Sequence, residues 1–218
     1  MKKLRCIIFL VFSFSIFFLP AQTAFAGAYT VPRSFPAGFQ TPIDISKGTP
    51  VGRFGGGAGA VTHNPVIFVH GNTRTANDFI TNYKYFLGKG YTPNELWAIS
   101  YGNNTMGLID SNDEDVPDVA AFIDEVLRFT QVINPHVKQV DIISHSLGVT
   151  IVRKAIKQFR LEDKVGTHVM IAGANHGMEL CAPGINTVCD ELYPGSPWLA
   201  ELNSPAEKPG SDQTGYHL

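Results

Sequence analysis

Ser146 stands at the centre of Ser144-His145-Ser146-Leu147-Gly148, a small-x-Ser-x-Gly pattern in which Ser144 replaces the commoner glycine. The apolar, β-prone run before it reads as a strand, and apolar side chains recur at helical spacing from Leu147 to Phe159. A serine at such a junction sits on a strained bend that lifts its hydroxyl clear of the backbone, and small residues two before and two after let strand and helix close around it. The chemistry this suits is nucleophilic attack on a carbonyl, with the helix N-terminus favouring the negative charge that develops. A tetrahedral oxyanion needs two N–H donors. One is expected to be the backbone N–H of Leu147. The other is expected from Asn72, after the apolar run Pro65 to Val69 and the pair His70-Gly71. Gly71 leaves the backbone open there, and His70 is read as ordering that loop. Either motif alone is a weak signal; together, two strand–helix units apart, they are specific.

A nucleophilic serine also needs a base. His145 is adjacent to Ser146, and neighbours on a tight turn point apart, so it reads as a packed residue beside the bend. His176, in Gly173-Ala174-Asn175-His176-Gly177, is expected to line the mouth of the site, while His63, His136 and His168 read as surface or loop residues. The chain order Ser, acid, His leaves His217 as the candidate base, with Asp190 or Asp212 as the acid. Yet His217 lies one residue from the last, and no apolar strand precedes it. The spacing therefore predicts a sheet that is incomplete at its C-terminal end, with its last edge open. It also predicts a chain cut short near Pro209 that turns over little ester as it stands, the alternative being a rearranged triad through His217.

The elements that must position these residues follow from the periodicity. Continuous apolar runs at Pro65–Val69, Glu95–Gly102, Val137–Ser144 and Val165–Ala174 alternate with helical patterns. Those patterns fall on Phe79–Leu87, on a stretch begun by Asp115 as cap with Pro117 in its first turn, and on Leu147–Phe159. Strands that are apolar throughout, alternating with helices, predict an α/β fold: a mostly parallel sheet with helices on both faces. After Asn175 the periodicity stops, apart from a short helix expected from Ser196-Pro197 over Trp198–Leu202. Residues 27–64, rich in Gly, Pro, Ser and Thr, read as an extended arm. Gly52 to Ala60 lacks the Gly-Lys-Ser/Thr ending of a phosphate loop. Asp113 to Asp118 lacks the spacing of a calcium loop.

Residues 1–26 have the form of a secretory signal peptide: a positive start, the apolar run Ile7–Pro20, and Ala24-Phe25-Ala26 before Gly27. The run is short for a membrane span, so no stable membrane anchor is expected after cleavage. Its removal leaves two cysteines, Cys181 and Cys189, and an isolated pair in an exported chain is expected to form a disulfide. With 17 Lys+Arg against 19 Asp+Glu and no basic block, nothing calls for nucleic acid. Two cysteines without paired histidines do not make a metal site.

The segments HNPVIFVHGN, FLGKGY, LWAISY, VDIISHSLG and MIAGANHG resemble the secreted bacterial lipases of class 2, in the α/β-hydrolase superfamily. The VHGN and ANHG forms also resemble extracellular polyhydroxybutyrate depolymerases related to those lipases. The resemblance runs from about Thr62 to Asn203. It implies a carboxylic ester hydrolase with Ser146 as nucleophile and Asn72 and Leu147 as oxyanion donors. It further implies that Met178 to Leu202 lies over the site, so residues 177–203 are expected to form a cap-like region of a hydrolase domain spanning 65–218. Substrate, a lipid ester or a polyester, is expected in a groove lined by Met178, Leu180, Leu192, Tyr193 and Trp198, with no metal or organic cofactor required. A reading from another class is a hydrolase-like binding protein without a working base. The first outcome to check is cleavage: exported protein should begin at Gly27 by mass spectrometry, and a mature chain beginning at Met1 would refute the signal peptide.

Overall fold

The computed structural model describes residues 34–44, 49–50, 52–102, 111–205 and 215–217. The signal-peptide stretch and Asp212 lie outside them. The strands are β1 (Ile43–Asp44), β2 (Thr49–Pro50), β3 (Gly52–Gly55), β4 (Val66–Val69), β5 (Leu96–Ser100), β6 (Val140–His145), β7 (Val165–Ile171) and β8 (Gly215–His217). The helices are α1 (Ile80–Leu87), α2 (Asn112–Ile133), α3 (Leu147–Phe159), α4 (Thr187–Leu192) and α5 (Pro197–Asn203). Six strands form one sheet in the order β3-β5-β4-β6-β7-β8, in which only the β3–β5 pairing is antiparallel. β1 and β2 form a separate antiparallel pair. The fold is an α/β-hydrolase fold.

The apolar strand runs are buried on both faces because each face has its own core. Ile67, Val69, Trp97, Ile99 and Ile142 point to one side, against Phe122, Ile123 and Val126 of α2 and Ile151, Val152 and Ala155 of α3. Val66, Phe68, Leu96 and Ala98 point to the other, against Phe79 and Tyr83. This alternation is the period of two of a strand, read here in a sequence with no polar face to mark it. Phe35 and Phe39 extend the first core by packing on Trp97, with Phe39 stacked at 4.9 Å between centroids. Among the described residues no helix is long and apolar enough to cross a membrane.

Within the extended arm, Gly52–Gly55 forms an edge strand antiparallel to β5. Two elements differ from the sequence reading. The last sheet edge is not left open at β7, because Gly215–His217 pairs parallel with Thr167–Val169. Gly-Tyr-His has no apolar run to announce it, and three residues suffice for an edge. Helix α2 begins one turn earlier than Asp115. Its N-cap is Ser111, whose hydroxyl accepts from the Asp113 N–H, and Pro117 lies inside the helix.

A carboxylate from far along the chain completes that cap. Glu191, on α4, accepts from the Ser111 hydroxyl at 2.5 Å, from the Asn112 N–H at 2.7 Å and from the Asp113 N–H at 3.4 Å. An anion at a helix N-terminus satisfies orphan donors and meets the positive end of the dipole. The Cys181–Cys189 disulfide closes the loop that ends in α4, and the Asn186 side chain caps α4 by accepting from the Cys189 N–H. Because Glu191 is buried, we predict that Glu191→Ala lowers unfolding free energy by about 1–3 kcal/mol in a urea titration. A loss within error of zero would contradict the cap.

Candidate active site

Ser146 lies between the last residue of β6 and the first of α3, at φ 54° and ψ −122°. A non-glycine residue there is strained, and such strain persists only where the surroundings over-determine it. Here the Ser146 N–H donates to the Ile171 carbonyl at 2.8 Å, pinning the bend to the end of the neighbouring strand β7. Ser146 is half-buried and His145 is exposed. As the first residue of α3, Leu147 has no intrahelical acceptor for its N–H.

Strand β4 runs beside β6, so the turn His70-Gly71-Asn72 reaches the same end of the sheet. The two turns pack too closely for side chains. A Cβ on Gly148 would lie 2.3 Å from the His70 carbonyl oxygen, and one on Gly71 would lie 2.8 Å from the Ser146 Cβ. This is why glycine occupies both places. The His70 ring is buried and donates from Nδ1 to the Gly71 carbonyl at 2.8 Å, which also accepts from the Arg74 N–H at 3.2 Å. Asn72 itself is exposed.

Beneath the bend lies a buried polar network. Ser144 is fully buried and its hydroxyl is 2.6 Å from His168 Nε2, across the β6–β7 seam. Arg153 of α3, also fully buried, donates to the Asn175 side chain at 2.9 Å and the Asn203 side chain at 2.7 Å. The guanidinium thereby ties α3 to the turn that carries His176 and to the end of α5. His168 is thus an interior residue of β7, not the surface residue its isolated place in the sequence suggests.

Other residues fall differently from expectation. Trp198 and Leu192 belong to the main core rather than to an open groove. The Trp198 indole donates to Asp113 at 2.7 Å, and the Lys154 ammonium lies 5.0 Å over its ring and 2.9 Å from Glu201. Met178 packs partly against that core, whereas Leu180 is 93% exposed. His176 is exposed after β7. Asp190 accepts from the Gly184 N–H at 2.6 Å, so its carboxylate braces the disulfide loop.

The register does not bring His217 to Ser146. His217 pairs with Val169, and Val169 pairs with Ile143. His217 therefore stands level with Ile143, three residues short of Ser146 and two strands away. At about 3.3 Å per residue and 4.8 Å per strand, the Cα atoms are roughly 14 Å apart.

The sequence pattern of the lipase (class 2) family matches residues 63–217. The chain belongs to this family of carboxylic ester hydrolases. Its solved neighbours carry the fold at low identity. The lipase BlEst2 of Bacillus licheniformis, in mature form, superposes with a TM-score of 0.51 at 14% identity, over 72% of this chain and 67% of that one. Its propeptide form gives 0.52 at 14%, over 72% and 37%. The phospholipase PlaB of Legionella pneumophila, in complex with thio-NAD, gives 0.50 at 23%, over 65% of this chain and 33% of that one. The chain thus spans about a third of the phospholipase it matches.

Burial, and the positive charge of Arg153, push the His168 imidazole down to about 3 from an ordinary 6.5. The folded chain keeps the ring neutral where the unfolded chain takes up a proton. The stabilisation is complete above about pH 6.5 and is lost as pH falls toward 3. We predict that unfolding free energy drops by about 1.4 kcal/mol per pH unit from this residue between about pH 6 and pH 4. His168→Gln should remove that component from denaturant titrations; an unchanged slope would contradict it.

Proposed function

We propose that this chain is a secreted serine esterase acting on carboxylic esters of lipids, with Ser146 as its nucleophile. The observation that carries the reading is Ser146 at a strained strand-to-helix bend, with the Gly71 backbone packed against it, inside a chain of the class 2 lipase family. The Ser146 oxygen attacks the ester carbonyl while a general base takes its proton and then delivers it to the departing alcohol oxygen. The N–H groups of Asn72 and Leu147 stabilise the oxyanion of the tetrahedral intermediate. Expulsion of the protonated alcohol leaves an acyl-enzyme, and water then releases the fatty acid and restores the serine. Of the five residues expected to line the groove, Met178, Leu180 and Tyr193 lie outside the buried core and are available to meet an acyl chain. The secreted location follows from the signal-peptide form of residues 1–26.

A hydrolase-like binding protein is the second reading, and the register that separates His217 from Ser146 favours it. Turnover of p-nitrophenyl butyrate and p-nitrophenyl palmitate by the purified chain decides between them. The esterase reading predicts turnover that Ser146→Ala reduces by about 10³-fold or more. Turnover that His217→Ala abolishes as Ser146→Ala does would establish a rearranged triad through His217. Wild-type turnover that survives Ser146→Ala would overturn the assignment, and absence of turnover with retained fatty-acid binding would establish the second reading.

A further inference from the structure

We propose that Tyr101 is a positioning residue that aims the Asn72 N–H through His70; this rests on the reading of Asn72 as an oxyanion donor. The donor belongs to the Gly71–Asn72 peptide, which is trans, so its N–H and C=O point in opposite directions. What fixes the Gly71 carbonyl therefore aims the Asn72 N–H. The His70 ring fixes that carbonyl from one side, donating from Nδ1 at 2.8 Å.

Tyr101 in turn touches His70 in three places. Its backbone N–H lies 3.3 Å from His70 Nε2, so that nitrogen is the acceptor and Nδ1 carries the proton. Its ring is stacked on the imidazole, with centroids 4.2 Å apart and planes 11° from parallel. Its hydroxyl donates to the His70 carbonyl. That carbonyl is the atom against which Gly148 packs at the start of α3. One residue thus sets the tautomer, the tilt and the backbone of the histidine that holds the donor peptide. Tyr101 is fully buried, and burial together with the nearby Asp115 charge raises its phenol well above the usual range, so the hydroxyl remains a donor. It follows β5 directly, so the strand beside β4 carries the residue that shapes the turn after β4.

The test compares three variants of the full chain. Tyr101→Phe keeps the stack and the backbone N–H and loses only the hydroxyl. Tyr83→Phe removes the hydroxyl of another buried tyrosine, on α1 in the opposite core, and controls for a merely structural loss. Ser146→Ala reports on the underlying reading. An interaction felt only in the transition state changes kcat and not KM. Losing a whole oxyanion donor costs about 10²–10³ in kcat, and loosening one costs less. We expect Tyr101→Phe to lower kcat on p-nitrophenyl butyrate about tenfold with KM within about twofold. Tyr83→Phe should leave both unchanged. If Ser146→Ala abolishes turnover and Tyr101→Phe keeps wild-type kcat, the proposal is overturned and the esterase reading stands. If Ser146→Ala keeps turnover, or the wild-type chain has none, the reading itself fails. The clamp is then judged on the amide ¹H and ¹⁵N shifts of Gly71 and Asn72, which follow the His70 carbonyl that the hydroxyl holds: a change in Tyr101→Phe that Tyr83→Phe does not produce upholds it, and unchanged shifts overturn it.

Discussion

The site depends on the approach of two turns at one end of the sheet. Parallel pairing of β4 with β6 brings the turn after each strand to the same edge. There the His70 carbonyl packs against the Cα of Gly148, and the Gly71 backbone against Ser146, with no space for a methyl group at either glycine. Protein interiors do not yield by an ångström without repacking, so the two turns are fixed as one unit. The strained backbone of Ser146 is held from the other side by its bond to Ile171 on β7. Three neighbouring strands therefore meet at the same few atoms, and the chemistry proposed for Ser146 requires all three in register.

The region after β7 is knitted into that unit by charge as well as by packing. Arg153 links α3 to Asn175 and Asn203, Lys154 links it to Glu201, and Glu191 caps α2 from α4. Burying a guanidinium and an ammonium is costly unless each is hydrogen-bonded or paired, and both have such partners here. Residues 177–203 share the main core through Val188, Leu192, Trp198, Leu199 and Leu202. Their disulfide and short helices thus pack as part of the domain beside the candidate site.

Much of this is legible in the amino-acid sequence. Strands apolar throughout, such as Val66–Val69, can only be buried on both faces, and Ser144 to Gly148 between a strand and a helix announces the bend. Helix α5 is legible from Ser196-Pro197, whose serine caps the Leu199 N–H as such a pair should. What escapes are interactions with no periodic signature. Trp198 and Leu192 lie in a loop-rich stretch, where an apolar side chain gives no sign of whether it faces the core or a groove. His168 alternates within a strand whose polar members face both ways. The true start of α2 depends on Glu191, which is 79 residues from Asn112 in sequence. Tyr101 reads as the end of a strand, and its contacts with His70 arise only when β5 pairs with β4. The three residues of β8 have no hydrophobic pattern, and only pairing with β7 makes them a strand.

The proposed chemistry centres on a single reactive atom, the Ser146 hydroxyl oxygen, facing donors from two turns. A crystal structure of the chain after treatment with a p-nitrophenyl alkylphosphonate tests it most directly. The expected result is phosphorus bonded to the Ser146 Oγ, with a phosphoryl oxygen about 2.7–3.1 Å from the N–H groups of both Asn72 and Leu147. An unmodified Ser146, or an adduct whose phosphoryl oxygen lies away from both donors, would contradict it.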